Sequence, residues 1–313
     1  MLPNIEIMKK MLNFLSIISL LLFSGRTFAE SAGVLRFPKQ ILNISSDERV
    51  KTNTLLADKD ERKLSVIDHE SLAGGRIRDS YNIDIGKKSG DKKRRDDKRT
   101  PEGIYVLIEK KSPPEIPYDL YGSMAFTTNY PNFFDKYENK TGSGIWLHSV
   151  PDTVPLTRGS RGCVVLRNDD IKKIEPAITP KKTIMIIDKK IDWLDQQSHK
   201  EEKEEALGWL ETWRTHWESQ DMEKYLEHYD EEFSSPPFNL TTWKKHKMSL
   251  KERYKFVNVK LSEPNVFQVK NQYIFQFVQN YKSDAHEDTG IKTLYVLKRG
   301  NTLRITREEW SSL

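Results

Sequence analysis

The stretch from Ile145 to Asp170, IWLHSVPDTVPLTRGSRGCVVLRNDD, constrains this chain more than any other part of it. One apolar run ends at His148 and another opens at Cys163, with Pro, Gly, Thr and Arg crowded between them. Pro and Gly at that density break regular structure, so the pattern predicts strand, loop, strand. Such a layout brings an imidazole to a thiol that is distant in sequence. Cys163 is the only cysteine, so no disulfide forms within the chain. A lone cysteine is most often a small buried apolar residue. Two features favour chemistry here. Ser160-Arg161-Gly162 precedes it, and a glycine there lets a backbone N–H approach a substrate carbonyl closely. The chain also reads as exported, and an unpaired thiol in an oxidising compartment is a liability unless used. A nearby imidazolium is expected to lower the thiol pKa and supply the attacking anion.

With its flanks, this stretch resembles the YkuD-type L,D-transpeptidase family. That family shows a histidine, a loop, then Ser/Thr-x-Gly-Cys followed by apolar residues. Arg99-Thr100-Pro101-Glu102-Gly103 resembles the family's threonine-proline-x-glycine strand entry, and Gly144-Ile145-Trp146-Leu147-His148 its histidine strand. Two positions depart: Arg161 stands where many members have histidine, and Ser149 where many have glycine. The resemblance implies a β-sandwich with short helices, with Cys163 as nucleophile and His148 as base. The Ser149 carbonyl would orient the imidazole, and the N–H groups of Gly162 and Cys163 would hold the oxyanion. It also implies peptidoglycan stem peptides as substrate.

Around this core the chain reads in order. Lys9 and Lys10, the apolar run Phe14 to Phe23 and the end at Thr27-Phe28-Ala29 suit a secretory signal over residues 1–29, with Met8 a plausible start. The run is short for a membrane span, so no span is expected after cleavage, and the periplasm is the expected compartment. Residues 30–50 read as an arm. Residues 51–190 form the expected catalytic domain, with strands at Leu55–Ala57, around Leu64 and Val66, from Ile77 to Ile85, and at Gly103–Lys110. Lys87 to Arg99 is a charge run, expected to be a solvated loop. The Pro-broken, aromatic segment from Ser112 to Thr141 is expected to wall the pocket, with Tyr121, Asn129 and Trp146 as substrate contacts. Ser160, Arg158, Arg161 and Arg167 surround the nucleophile, and one arginine is expected to take the terminal D-alanine carboxylate. Asn168 reads as an N-cap.

Composition shifts near Gln196. Residues 191–200 read as linker, and 201–313 as a second domain. Ala206, Trp209, Leu210, Trp213 and Trp217 recur at helical spacing, and Met222, Tyr225, Leu226 and Tyr229 repeat the pattern in a second helix. A third helix over 242–254 and five strands complete an α+β cone that resembles nuclear-transport-factor-two-like domains. His216, His228 and Asp230 read as core or surface groups rather than as a reaction centre, so this domain is expected to bind the wall or a localising partner. Deletion from Gln197 onward is expected to leave activity on soluble muropeptides. The formal net charge of +5 is too mild for nucleic-acid binding. No zinc-type His/Cys spacing appears, so neither metal nor cofactor is expected. A YkuD-type domain followed by this cone resembles the wall-editing L,D-carboxypeptidases that set cell shape. Those enzymes remove D-alanine from tetrapeptide stems. The alternatives are an L,D-transpeptidase making 3–3 cross-links or attaching proteins, and a non-catalytic wall-binding protein.

Overall fold

The computed structural model describes residues 35–77 and 79–313, so the expected signal segment lies outside them. The arm carries two short strands, β1 (Phe37–Pro38) and β2 (Ile41–Asn43). Next come β3 (Thr54–Asp58), β4 (Lys63–Ile67), helix α1 (His69–Ala73), β5 (Ser80–Asn82) and β6 (Gly103–Lys111). Helix α2 (Tyr118–Tyr121), β7 (Ala125–Thr128), α3 (Phe133–Tyr137), β8 (Trp146–Val150), β9 (Val164–Arg167), α4 (Asn168–Ile174) and β10 (Ile184–Asp188) follow. Strands β3 to β10 make one eight-stranded sheet in the order β5-β4-β3-β10-β6-β7-β8-β9. Its two ends meet: Asp84, just past β5, bridges to Val165 on β9. The sheet therefore curls into a barrel-like wall around a core that includes Leu55, Tyr105, Leu107, Phe126, Leu147, Val164 and Met185.

The helix that opens the second domain starts sooner than its sequence pattern implies. Strand β11 (Trp193–Leu194) pairs antiparallel with β1, and helix α5 runs Gln196–Glu218. Asp195 caps that helix by accepting from Ser198 N at 2.9 Å, so the expected linker is structured. Helix α6 (Met222–Leu226) stops short of Tyr229, which instead forms a bridge with Ile305. After the small strands β12 (Ser234–Ser235) and β13 (Phe238–Asn239), helix α7 (Leu240–Arg253) opens on a capping box between Asn239 and Thr242. Strands β14 (Val257–Leu261), β15 (Asn265–Val269), β16 (Gln272–Ser283), β17 (Glu287–Arg299) and β18 (Thr302–Ser312) form the meander. All five fall where alternation placed them, with β16, β17 and β18 extending further.

The arm is the main departure. Strand β2 pairs antiparallel with β15 and supplies an edge of the second domain's sheet. Strand alternation then sends Leu42 into that domain's core, and Ile41 into a core shared by both domains. The shared core joins Ile41, Ile44, Leu56, Ile104, Phe134 and Ile186 to Phe267, Val269, Ile274 and Leu297. Residues 35–313 accordingly form one compact unit. Deletion from Gln197 would remove Phe267, Val269, Ile274 and Leu297 from this shared core and expose the apolar residues they cover. Among the described residues no helix is long and apolar enough to cross a membrane.

Candidate active site

Strands β8 and β9 run parallel, with Leu147 opposite Val164 and His148 opposite Val165. Side chains two apart share a face, so Trp146 and His148 project together. One step back along the same register sets Cys163 across from Trp146. The thiol and the imidazole thus lie diagonally on one face, about one two-residue step (~6.6 Å) apart along the strands. Tyr121 closes the other side: its ring lies 4.8 Å from Trp146 and 5.1 Å, edge-on, from His148. Ring contacts therefore bring together His148, Tyr121 and Trp146, the last two as half-buried walls, and the strand register sets Cys163 on the same face.

His148 is buried, and its Nδ1 donates to the Ser149 carbonyl at 2.7 Å. This contact leaves the lone pair of the neutral ring on Nε2. The Ser149 hydroxyl also has work of its own. It accepts from Ser123 N at 2.9 Å, beside Gly122, whose φ is +63°. A Cβ at Gly122 would lie 2.4 Å from that hydroxyl oxygen, so serine at 149 and glycine at 122 fit as a pair. Asn168 completes the lock, accepting from the same Ser123 N at 2.8 Å and donating to Tyr118 Oη at 3.1 Å. It is the first residue of α4, and the cap position is Arg167. The expected cap is instead a buried brace between α4 and the Tyr121 turn.

The nucleophile turn is tied by Ser160. Its hydroxyl donates to the Cys163 carbonyl at 2.7 Å and accepts from Gly162 N at 2.9 Å. The Gly162 N–H, expected as an oxyanion donor, is therefore engaged in this state, and Ser160 supports the turn. Gly162 has φ +134°, and a Cβ there would meet the Arg99 carbonyl at 2.7 Å, so only glycine fits. Asp84 anchors the loop before the turn by accepting from Gly159 N at 2.6 Å. An acid set between two apolar residues, Ile83 and Ile85, was the available sequence signal for it.

The electrostatics overturn one expectation. Burial pushes the Cys163 thiol up to about 11, only partly offset by the Trp146 backbone and the Lys92 charge. Burial likewise holds the His148 imidazole down to about 4, helped by the Arg158 charge and opposed by the Ser149 carbonyl. The thiol donates to the Gly144 carbonyl at 3.6 Å. Cys163 is half-buried, and both shifts favour a neutral thiol beside a neutral imidazole at neutral pH. Among the described residues no carboxylate hydrogen-bonds the ring to stabilise an imidazolium; its orienting partner is a neutral carbonyl.

The arginines separate. Arg167 donates to the carbonyls of Val154 (2.6 Å) and Asp152 (3.4 Å), so it braces the loop instead of waiting for substrate. Arg158 and Arg161 are exposed, and Arg158 acts electrostatically on His148. Asn129 also leaves the list: its side-chain oxygen accepts from Val106 N at 3.0 Å, completing the β6 edge at a bulge. The charge run is not a merely solvated loop. Asp91 and Lys92 are buried, and Asp97 accepts from Lys92 Nζ and Lys93 N (both 2.8 Å), from Arg94 N (3.0 Å) and from Arg99 N (3.1 Å). A carboxylate with four donors holds an anion cheaply, and its pKa is lowered strongly.

Comparison with known proteins agrees with this geometry. Residues 52–187 match the YkuD family model, described as the L,D-transpeptidase catalytic domain, and residues 205–309 match the Cds6 C-terminal NTF2-like domain. The solved structure of Bd1075 from Bdellovibrio bacteriovorus is 47% identical, with a TM-score of 0.82, covering 89% of this chain and 99% of that one. The helical cell shape determining protein Pgp2 from Campylobacter jejuni is 28% identical, with a TM-score of 0.64, covering 88% and 94%. No curated protein sequence matches the chain. The chain belongs to the L,D-transpeptidase family, as a YkuD catalytic domain joined to an NTF2-like domain.

Proposed function

We propose that the protein is a cysteine L,D-carboxypeptidase of the periplasm that removes the terminal D-alanine from peptidoglycan tetrapeptide stems, and so edits the wall to set cell shape. The observation that carries this reading is the strand register that sets Cys163 on the face of His148, beside the Tyr121 and Trp146 rings, in a chain with the two-domain organisation of a cell-shape-determining protein.

Both groups are neutral at rest, so the thiol proton passes to His148 Nε2 as the sulfur attacks the carbonyl of the third residue, not before. The Cys163 N–H receives the developing oxyanion, joined by the Gly162 N–H once the Ser160 hydroxyl turns away. The imidazolium then gives its proton to the departing D-alanine amine as the C–N bond breaks. Water, deprotonated by His148, attacks the thioester, releasing the tripeptide carboxylate and restoring the thiol. Arg158 or Arg161 pairs with the D-alanine carboxylate, and Tyr121 and Trp146 flank the stem. The NTF2-like domain binds wall or a localising partner. In support, it holds an open groove of ≈ 720 Å³ lined by Trp243, Lys292, Glu308 and Trp310, among other residues. His216 and His228 contact each other at 3.2 Å while Asp230 is taken by Arg299 at 2.8 Å, an arrangement without an acid–base relay.

The test is digestion of purified tetrapeptide muropeptides followed by mass analysis. Tripeptide and free D-alanine from the wild type, and neither from Cys163→Ala, are expected. Accumulation of 3–3 cross-linked dimers without tripeptide would replace this reading by transpeptidation, and binding to sacculi with no product would replace it by a wall-binding role.

A further inference from the structure

Lys270 belongs to the NTF2-like domain, at the tight turn between β15 and β16, where its own φ is +57°. Its ammonium reaches across the domain boundary to Glu102 at 2.8 Å and Asp91 at 3.1 Å. These carboxylates sit at the root of the charged loop: Asp91 within it, and Glu102 at its exit into β6. Glu102 N donates to Asp91 Oδ1 at 2.9 Å, pinning the two together. Both side chains are nearly inaccessible, at 6% and 8%. Lys59 holds Glu102 at 2.8 Å and also donates to the carbonyls of Gly90 and Thr100, both at 2.8 Å. Lys140 holds Asp91 at 3.0 Å but divides its charge with Asp135 and Glu138, both at 3.2 Å. Lys93 also reaches Asp91, at 3.4 Å, but among the described residues Lys270 is the one cation in this knot that bridges Asp91 and Glu102 directly. Without it, two adjacent buried carboxylates repel where the loop is rooted.

The same loop embraces the nucleophile on two sides. At its far end the Arg99 carbonyl packs on Gly162, and at its near end Lys87 N donates to the Ser160 carbonyl at 3.0 Å. In its middle, the Lys93 carbonyl accepts from Thr141 N at 3.1 Å. This contact supports the 141–144 segment, whose Gly144 carbonyl takes the thiol. Lys92, the buried cation whose charge acts on Cys163, lies next to Asp91.

We infer that Lys270 is a positioning residue for Cys163, acting through Asp91 and the 86–99 loop, so that the reaction centre is complete only with the NTF2-like domain docked. This rests on the reading of Cys163 as the nucleophile. The NTF2-like domain then contributes to turnover on soluble stems as well as to placement at the wall.

The experiment uses the full chain with Lys270→Met, Lys270→Arg and, as a control on the same sheet, Lys282→Met, whose exposed lysine pairs with Glu287. Cys163 is the sole cysteine, so iodoacetamide reports its environment alone. Loosening the loop wets the thiol. Lys270→Met is expected to alkylate at least threefold faster while kcat on tetrapeptide muropeptides falls at least fivefold, with KM changed less than twofold. Lys270→Arg restores both, and Lys282→Met changes neither. A folded Lys270→Met with wild-type alkylation and turnover overturns the inference. Should Lys270→Met not fold, Lys270→Gln is read by the same criteria. If the wild type hydrolyses no muropeptide, the carboxypeptidase reading fails, but the alkylation rates still decide the coupling: a changed rate sustains it and an unchanged rate overturns it.

Discussion

The resting protonation state of the nucleophile yields a sharp prediction for the wild-type protein. With the Cys163 pKa near 11, rather than the ordinary 9.0, the thiolate fraction at pH 7 falls from about 10⁻² to about 10⁻⁴. A more basic thiolate is intrinsically more reactive, and a Brønsted slope of 0.4–0.5 over two units returns roughly six- to tenfold. Net alkylation by iodoacetamide at pH 7 is therefore expected to be roughly tenfold slower than for free cysteine. Its logarithm should climb with a slope near one from pH 7 to about pH 10 and level off only above the thiol pKa of about 11. His148→Gln should leave this profile almost unchanged, because the imidazole it removes is neutral over that range. The assay is the pseudo-first-order loss of free thiol across pH, by mass. A rate already at its plateau at pH 6, equal to or above that of free cysteine, would reveal a preformed thiolate–imidazolium pair and refute the reasoning.

Three further outcomes are expected. Gly162→Ala places a Cβ 2.7 Å from the Arg99 carbonyl and 2.9 Å from Ile145 Cδ1 at φ +134°, so about 1–3 kcal/mol of strain should appear in denaturant midpoints, with turnover reduced more than tenfold. The buried His148, at about 4 against an ordinary 6.5, stays neutral in the folded chain while the unfolded chain takes up a proton. Its contribution is therefore fully present above pH 6.5 and is lost as pH falls through 4, about 3 kcal/mol in all; His148→Gln should flatten that part of the stability–pH curve. Arg167→Ala, which frees the Val154 and Asp152 carbonyls, should cost about 1–2 kcal/mol of stability, whereas Arg158→Ala should leave stability unchanged and raise KM for D-alanine-terminated stems.

What was legible beforehand follows from how local each signal is. The strand at Ile145–His148, the loop and the strand after Cys163 came from apolar runs broken by Pro and Gly. The Trp and Tyr repeats marked the first two helices of the second domain. Asn129 and Arg167 were misplaced for a common reason: a polar side chain near the site in sequence is available to substrate only if no backbone group claims it first. Val106 N and the Val154 carbonyl make those claims from elements that spacing alone does not bring close. Ser123, Asp84 and Asn168 were missed for the complementary reason, since each acts by hydrogen bonding to a segment far along the chain.

By itself, the sequence marked the cysteine and the histidine proposed as nucleophile and base, the glycine between serine and thiol, and the order of two domains. Each is written in residue types and short spacings, which local sterics and hydrogen bonding translate directly. Only the tertiary structure decided that the arm completes the second domain's sheet, that Lys270 reaches the roots of the active-site loop, and that thiol and imidazole rest uncharged. Pairing partners and desolvation depend on which distant surfaces come together, and burial, which shifts both pKa values, exists only once the chain has closed around them.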